Sequence, residues 1–285
     1  MNRREAIKQG ALLSAGALVT PRLFADHHQH SFQIGACDWS IKKQLDLDAF
    51  HLGKKVGLDG IQYSFGVKGE GVDLRSRANR DAIRETVKKT GVEMSSMAIG
   101  ALNKIPLSNT DHGEELVHEC IQTMAILKKE AAQLDDSDLA AKVAPNTVLL
   151  AFFGAGDIKN KPDLTAKVIE KLKRAAPMAE KHGITLGLET WLNEDEHRHI
   201  MDSVGSPAIK VYYDVANSNK MGYDIYKEIK SLGSENICEI HCKEVGFLLG
   251  RGRIAFERLR GILNRIDYRG WLVIESAVPK DMEVD

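Results

Sequence analysis

An α/β fold with one closed ring of eight parallel strands is what the sequence predicts, on three observations. From Ser31 onward, short apolar or β-branched runs alternate with longer stretches of helical period. The alternation occurs eight times in about 245 residues, which suits a closed ring better than an open doubly wound sheet. No repeat, linker or low-complexity segment interrupts it, so residues 26–285 read as a single domain. Together these predict a (β/α)₈ TIM barrel.

The strand segments, in order, are Phe32–Ala36, Gly60–Phe65, Glu93–Ile99, Thr147–Phe153, Thr185–Thr190, Lys210–Val215, Ile237–Lys243 and Trp271–Ser276. Each is chosen for its apolar content and its flanking turn residues. Arg77–Thr90, Glu114–Gln133, Thr165–His182 and Phe256–Arg265 are the clearest helices between them. Gly91 and Gly183 stand where a helix C-terminus calls for a left-handed residue, just ahead of strands three and five. Strand, helix, strand in this order implies parallel pairing with right-handed crossovers. Only Ala277–Asp285 follow strand eight, too few for a full helix, so the eighth outer helix is expected to be missing or incomplete. Either the chain has been cut short or a second copy covers that face, which makes a homo-oligomer one expectation.

Composition sets broad limits. With 43% hydrophobic and 28% charged residues the chain is expected to be globular, not disordered. Lys plus Arg number 39 against 40 Asp plus Glu, with no basic run of five, so no nucleic-acid partner is expected. Met1–Ala25 carries Arg3-Arg4 and Lys8, then an apolar stretch to Val19, and ends in the small residue Ala25. This is the pattern of a twin-arginine-like export signal, too short for a stable membrane anchor, and it predicts a periplasmic protein exported already folded. Asn2 before the arginine pair and Leu23 near the cleavage point depart from the usual signal. Removing Arg3, Arg4, Lys8, Arg22 and Glu5 with the segment leaves a net charge of about −4. Asp26-His-His-Gln-His30 reads as a solvated tail. The four cysteines show no C-x-x-C spacing, and Cys238 and Cys242 would lie roughly 13 Å apart along one strand, too far to pair with each other. Buried thiols are expected.

In such a barrel the reacting groups sit at the C-terminal ends of the strands. Glu189 ends Ile-Thr-Leu-Gly-Leu-Glu, Asp214 ends Val-Tyr-Tyr-Asp, His241 lies in Ile-Cys-Glu-Ile-His, and Glu275 ends Trp-Leu-Val-Ile-Glu. These are the ends of strands five to eight, which are neighbours. Alternation places Leu186 and Leu188 toward the helices and Glu189 toward the axis, and treats Leu272, Ile274 and Glu275 the same way. Three carboxylates and an imidazole form a hard donor set for one divalent cation, Mn²⁺ first, with Mg²⁺, Co²⁺ or Zn²⁺ as alternatives.

The strings Gly-Leu-Glu189-Thr, Tyr-Asp214-Val-Ala-Asn217, Ile-His241-Cys-Lys243-Glu and Val-Ile-Glu275-Ser resemble the xylose isomerase-like TIM barrel superfamily, in its sugar phosphate isomerase/epimerase branch. The resemblance runs from about Phe32 to the C-terminus. It implies that Glu189, Asp214, His241 and Glu275 hold the cation, with Glu189 and Glu275 also acting as the catalytic pair on a small-molecule sugar. The implied activity is a ketose isomerase or epimerase working by proton transfer through a metal-stabilised enediolate. A metal-dependent lyase acting on keto-sugars and a non-catalytic sugar- or metal-binding barrel are the alternatives. Apurinic DNA endonucleases of the same superfamily need further ligands where this chain has Asn217 and Arg251-Gly-Arg253.

The substrate-binding candidates are weaker signals. Lys243 follows His241 by two residues, hence on the same strand face, and can hold a substrate oxygen. Asn217 stands where relatives often have a substrate-binding His. Arg253, in the loop after strand seven, is a candidate for a phosphate or acidic sugar, and Glu194 for a sugar hydroxyl, although Glu194-Asp-Glu196 also reads as a helix start. Trp39 and Trp191 are placed to stack on a ring, and Leu102–Pro106 is a candidate substrate loop.

Overall fold

The computed structural model describes residues 32–276. The predicted export segment and the stretch after strand eight lie outside the described residues. The strands are β1 Ile34–Cys37, β2 Gly60–Ser64, β3 Glu93–Ile99, β4 Thr147–Ala151, β5 Thr185–Glu189, β6 Ile209–Asp214, β7 Ile237–Cys242 and β8 Leu272–Ile274. They pair in parallel and in sequence order, and β8 pairs back onto β1 to close the ring.

All eight predicted strands are present, with ends that differ by a few residues. Phe152 and Glu275 fall outside β4 and β8 yet each still bonds the neighbouring strand, Phe152 N–H to the Glu189 carbonyl at 2.9 Å and Glu275 N–H to the Cys242 carbonyl at 3.1 Å. The helices Arg77–Thr90 and Phe256–Arg265 have their predicted bounds, and Asp111–Ala131 and Pro162–Lys181 start three residues early. Pro162 opens the latter at its first position, where no N–H is needed. Gly91, at φ 75°, ends the helix before β3 and returns its N–H to the Val87 carbonyl.

Two apolar regions follow from the strand alternation. Leu186, Leu188, Val211 and Ile240 join the large core between strands and helices, while Ala98, Leu149, Ala151 and Tyr212 pack on the axis. Gly187 makes room for that inner layer: a Cβ there would lie 2.6 Å from Cys238 Sγ and 3.1 Å from the Tyr212 ring. None of the four cysteines is in a disulfide; Cys37, Cys120 and Cys242 are buried, whereas Cys238 is only partly so. Among the described residues no helix is long and apolar enough to cross a membrane.

Candidate metal centre and active site

Glu189 closes β5, Asp214 closes β6, His241 sits opposite Asp214 in β7, and Glu275 directly follows β8. One donor atom from each lies within 4.8 Å of the others. His241 Nδ1 is 3.0 Å from Glu189 Oε1, 3.4 Å from Glu275 Oε2 and 3.9 Å from Asp214 Oδ2. Asp214 Oδ1 caps the short helix Val215–Lys220 by accepting from Ala216 N–H and Asn217 N–H, both at 2.8 Å, which leaves Oδ2 for the cluster. Trp39 Nε1–H holds Glu275 Oε1 at 3.0 Å, which turns Oε2 inward.

Negative charge is concentrated here. Burial pushes the Asp214 carboxyl up to about 7, with Glu189 and Glu275 adding to the effect and Lys243 and His241 opposing it. Against the cost of burial, Cys37, Glu189 and Glu275 hold the His241 imidazole well above its usual value. Asp214 and Glu275 likewise hold the Lys243 ammonium above its ordinary range, despite burial. Glu275 is also buried, yet the attraction of His241 and Lys243 holds its carboxyl below the usual value. Three carboxylates thus converge here with only one imidazole and one ammonium beside them. A divalent cation would offset this negative charge directly, and the convergent, oxygen-rich donors fit a hard ion. Cys37 stands apart from the donor set, since its Sγ lies 3.4 Å from His241 Nε2, whereas the carboxylates face Nδ1.

A cavity of about 380 Å³ opens over this cluster, lined by Glu189, Lys243 and Glu275 together with Asn217, Trp39, Trp191 and Asn103. Lys243 Nζ is 2.8 Å from Glu275 Oε2 and 3.5 Å from Asp214 Oδ2. Asn217 Nδ2 donates to Glu189 Oε1 at 3.5 Å, and Trp191 packs edge-on against Phe153 with centroids 4.9 Å apart. From the loop Leu102–Pro106 it is Asn103 that reaches the cavity, while Leu102 is buried.

Two predicted substrate contacts are placed elsewhere. Glu194 is the first residue of the helix Glu194–Val204, and its Oε1 is taken by Arg198 Nε at 2.9 Å and by the Ser231 hydroxyl. The helix-start reading accounts for it. Arg253 is exposed and lines a separate small cavity beside Lys220, and its backbone N–H donates to Glu244 Oε2 at 3.1 Å. Sequence reasoning passed over Ser64, Gln44 and Phe153, which line the cavity over the cluster, and Gln62, whose Oε1 is 2.9 Å from His241 Nε2. A polar residue in the middle of an apolar strand was the available signal for Gln62.

The chain is similar to known proteins. Over 192 residues the chain is 26% identical to a 2-epi-5-epi-valiolone 7-phosphate 2-epimerase of Actinoplanes sp., a match covering 67% of this chain and 65% of that relative. Over 248 residues it is 24% identical to an L-ribulose-5-phosphate 3-epimerase of Escherichia coli, covering 80% and 81% of the two chains. The fold is shared with a D-psicose 3-epimerase crystallised in the presence of D-fructose, at TM-score 0.69 and 17% identity, over 87% of this chain and 85% of that one. It is also shared with the 3-keto-D-glucoside 4-epimerase of E. coli, at TM-score 0.65 and 14% identity, over 88% and 94%. The family model of the xylose isomerase-like TIM barrel matches residues 50–283, and the chain belongs to that family.

Proposed function

We propose that this protein is a divalent-metal-dependent epimerase of a small keto-sugar, with Glu189 and Glu275 as its acid–base pair. The observation that carries the reading is the convergence of these two carboxylates on His241 Nδ1, at 3.0 and 3.4 Å, with both lining one cavity. The relatives named as epimerases support it.

Glu189, Asp214, His241 and Glu275 would hold the cation, Mn²⁺ first, which supplies Lewis-acid stabilisation of negative charge developing on the substrate's oxygens. One carboxylate takes the proton from the carbon beside the carbonyl, and the other returns a proton to the opposite face. The centre inverts with no net change in atoms. Lys243 stands at the cavity edge to donate to a substrate oxygen. Trp39, Trp191 and Phe153 offer apolar faces to the sugar ring and keep water from the reacting carbon. Asn217 orients a sugar hydroxyl. The twin-arginine-like segment supports export to the periplasm, and with it a free sugar or glycoside as substrate in place of a sugar phosphate.

The test is carbon-bound proton exchange in D₂O with added Mn²⁺ and a panel of keto-sugars. The wild-type chain washes deuterium into one carbon, and Glu189→Gln and Glu275→Gln each lower the rate by about 10²–10⁴-fold. Exchange that persists in either variant refutes the two-carboxylate mechanism. A protein that binds no divalent ion refutes the metal reading.

A further inference from the structure

Beneath the acidic cluster a second group of polar side chains fills the barrel axis. Register places it there: Cys37 pairs with Gln62, Gln62 with Ser96, Tyr212 with Glu239 and Asp214 with His241. Gln62, Ser96, Tyr212, Glu239 and His241 are all buried. Gln62 stands between the two groups. Its Oε1 lies 2.9 Å from His241 Nε2 and 3.2 Å from Cys37 Sγ, and its Nε2 lies 3.1 Å from Ser96 Oγ and 2.8 Å from the Tyr212 hydroxyl. Both hydroxyls also meet one further atom, Glu239 Oε2, at 2.7 and 2.8 Å.

Counting hydrogens settles which way the Gln62 amide points. Each hydroxyl has one hydrogen, and Glu239 Oε2 carries at most one. Whatever the charge on Glu239, at least one of the two hydroxyls must therefore give its hydrogen to Oε2. That hydroxyl has only lone pairs left for Gln62, so the amide nitrogen must face it. The amide oxygen then faces His241, and an acceptor 2.9 Å from Nε2 requires a hydrogen on Nε2. The lone pair of the neutral ring is left on Nδ1, the atom that faces Glu189, Glu275 and Asp214.

The geometry points to Gln62 as the positioning residue of the site: it fixes the tautomer and ring orientation of His241 so that Nδ1 meets the cation, with Tyr212, Ser96 and Glu239 as the frame that aims it. This rests on the reading of Glu189, Asp214, His241 and Glu275 as a cation site. A metal-ligating His is held by the partner of its other nitrogen, and losing such a partner costs about 10–100-fold in metal affinity. Here the partner is a neutral amide whose four hydrogen-bonding positions are all used.

The experiment titrates the full chain with Co²⁺ by calorimetry and visible absorption. It also follows the His241 ring by nitrogen NMR, without metal and with Zn²⁺. In the wild type a slowly exchanging Nε2–H is expected in both states, with Nδ1 bound to Zn²⁺. Gln62→Met, similar in size but without an acceptor, should lose that signal and weaken Co²⁺ binding about 10–100-fold, while Gln62→Glu restores affinity to within about threefold. If Gln62 only filled space, Gln62→Met would bind like the wild type. Should Gln62→Met not fold, Tyr212→Phe keeps the ring that packs on His241, with centroids 4.5 Å apart, but removes one aiming hydroxyl. Its expected loss is about three- to tenfold. Unchanged Co²⁺ affinity in the folded variant, or a proton on Nδ1 in the Zn²⁺-loaded wild type, overturns the proposal. A wild type that takes up neither metal overturns the cation reading, while the protected Nε2–H and its loss in Gln62→Met uphold the tautomer assignment on their own.

Discussion

The half of the ring from β1 to β4 and the half from β5 to β8 repeat the same strand and helix unit, but they present different chemistry to the cavity. Strands β5–β8 lead to Glu189, Asp214, His241 and Glu275, whereas β1–β4 present the neutral side chains of Trp39, Ser64, Ala98 and Ala151. The first half does have a carboxylate at a strand end, Asp38, and it is fully buried. Its Oδ2 accepts from Ser64 N–H at 2.9 Å and Leu45 N–H at 3.0 Å, and its Oδ1 accepts from the Ser64 hydroxyl at 2.7 Å. Burial raises its carboxyl to about 6 even though these donors pull the other way. Asp214 spends one oxygen on backbone N–H groups and keeps the other for the cluster. An unspent lone pair, more than a carboxylate at a strand end, separates a candidate cation ligand from a loop anchor.

The sharpest way to break this comparison is to neutralise both residues. Asp214→Asn should lower Mn²⁺ affinity about 100-fold or more while the chain still folds. Asp38→Leu, which is neutral, similar in size and without an acceptor, should cost about 3 kcal/mol of stability, because the buried Ser64 and Leu45 N–H groups lose their acceptor, and leave Mn²⁺ affinity within about threefold. Calorimetric Mn²⁺ titration and urea denaturation separate the two outcomes. Equal metal loss in both variants would erase the distinction.

A second prediction concerns a fully committed group in the half from β5 to β8. His197 is buried, with Nδ1 2.9 Å from the Asn193 carbonyl and Nε2 3.0 Å from Thr190 Oγ1. Burial lowers its pKa from 6.5 to about 4. The unfolded chain therefore takes up this proton first as the pH falls. The stabilisation is complete above about pH 6.5 and is lost toward pH 4, reaching up to about 3 kcal/mol. Urea denaturation at a series of pH values should show this slope in the wild type and not in His197→Gln.

The smallest expected effect sharpens the role of Lys243. Its ammonium repels any cation that binds the carboxylates beside it, so Lys243→Met should bind Mn²⁺ about three- to tenfold more tightly. The same variant should exchange carbon-bound protons about tenfold more slowly, since a donor to the substrate oxygen is gone. Weaker Mn²⁺ binding in Lys243→Met would show that the lysine organises the carboxylates instead of opposing the ion.

The eight strands could be read from the chain because each is a short apolar run set off by turn residues, a local property. Glu189 could be read as inward because Leu186 and Leu188 mark the other face. The helices Asp48–Val56, Ser137–Lys142 and Val215–Lys220 were not singled out, being short and dependent on packing and caps for their stability. The helix Ile225–Asn236 is interrupted at Gly233, with φ 72°, which spoils its period. Glu194 and Arg253 show the opposite limit: their strand-end or loop positions suggested the cavity, and only the packed side chains show that one binds its own helix and the other faces solvent.

By itself the sequence determined the alternation of strands and helices, the four candidate ligands and the inward direction of two of them, because these follow from side-chain period and residue type. Only the tertiary structure decided which lone pairs remain for an ion and how His241 is held. Gln62 and His241 lie 179 residues apart, and Gln62 and Tyr212 150 apart. Such contacts exist only once the ring closes, since its register, and no local pattern, brings β2, β6 and β7 to a common axis.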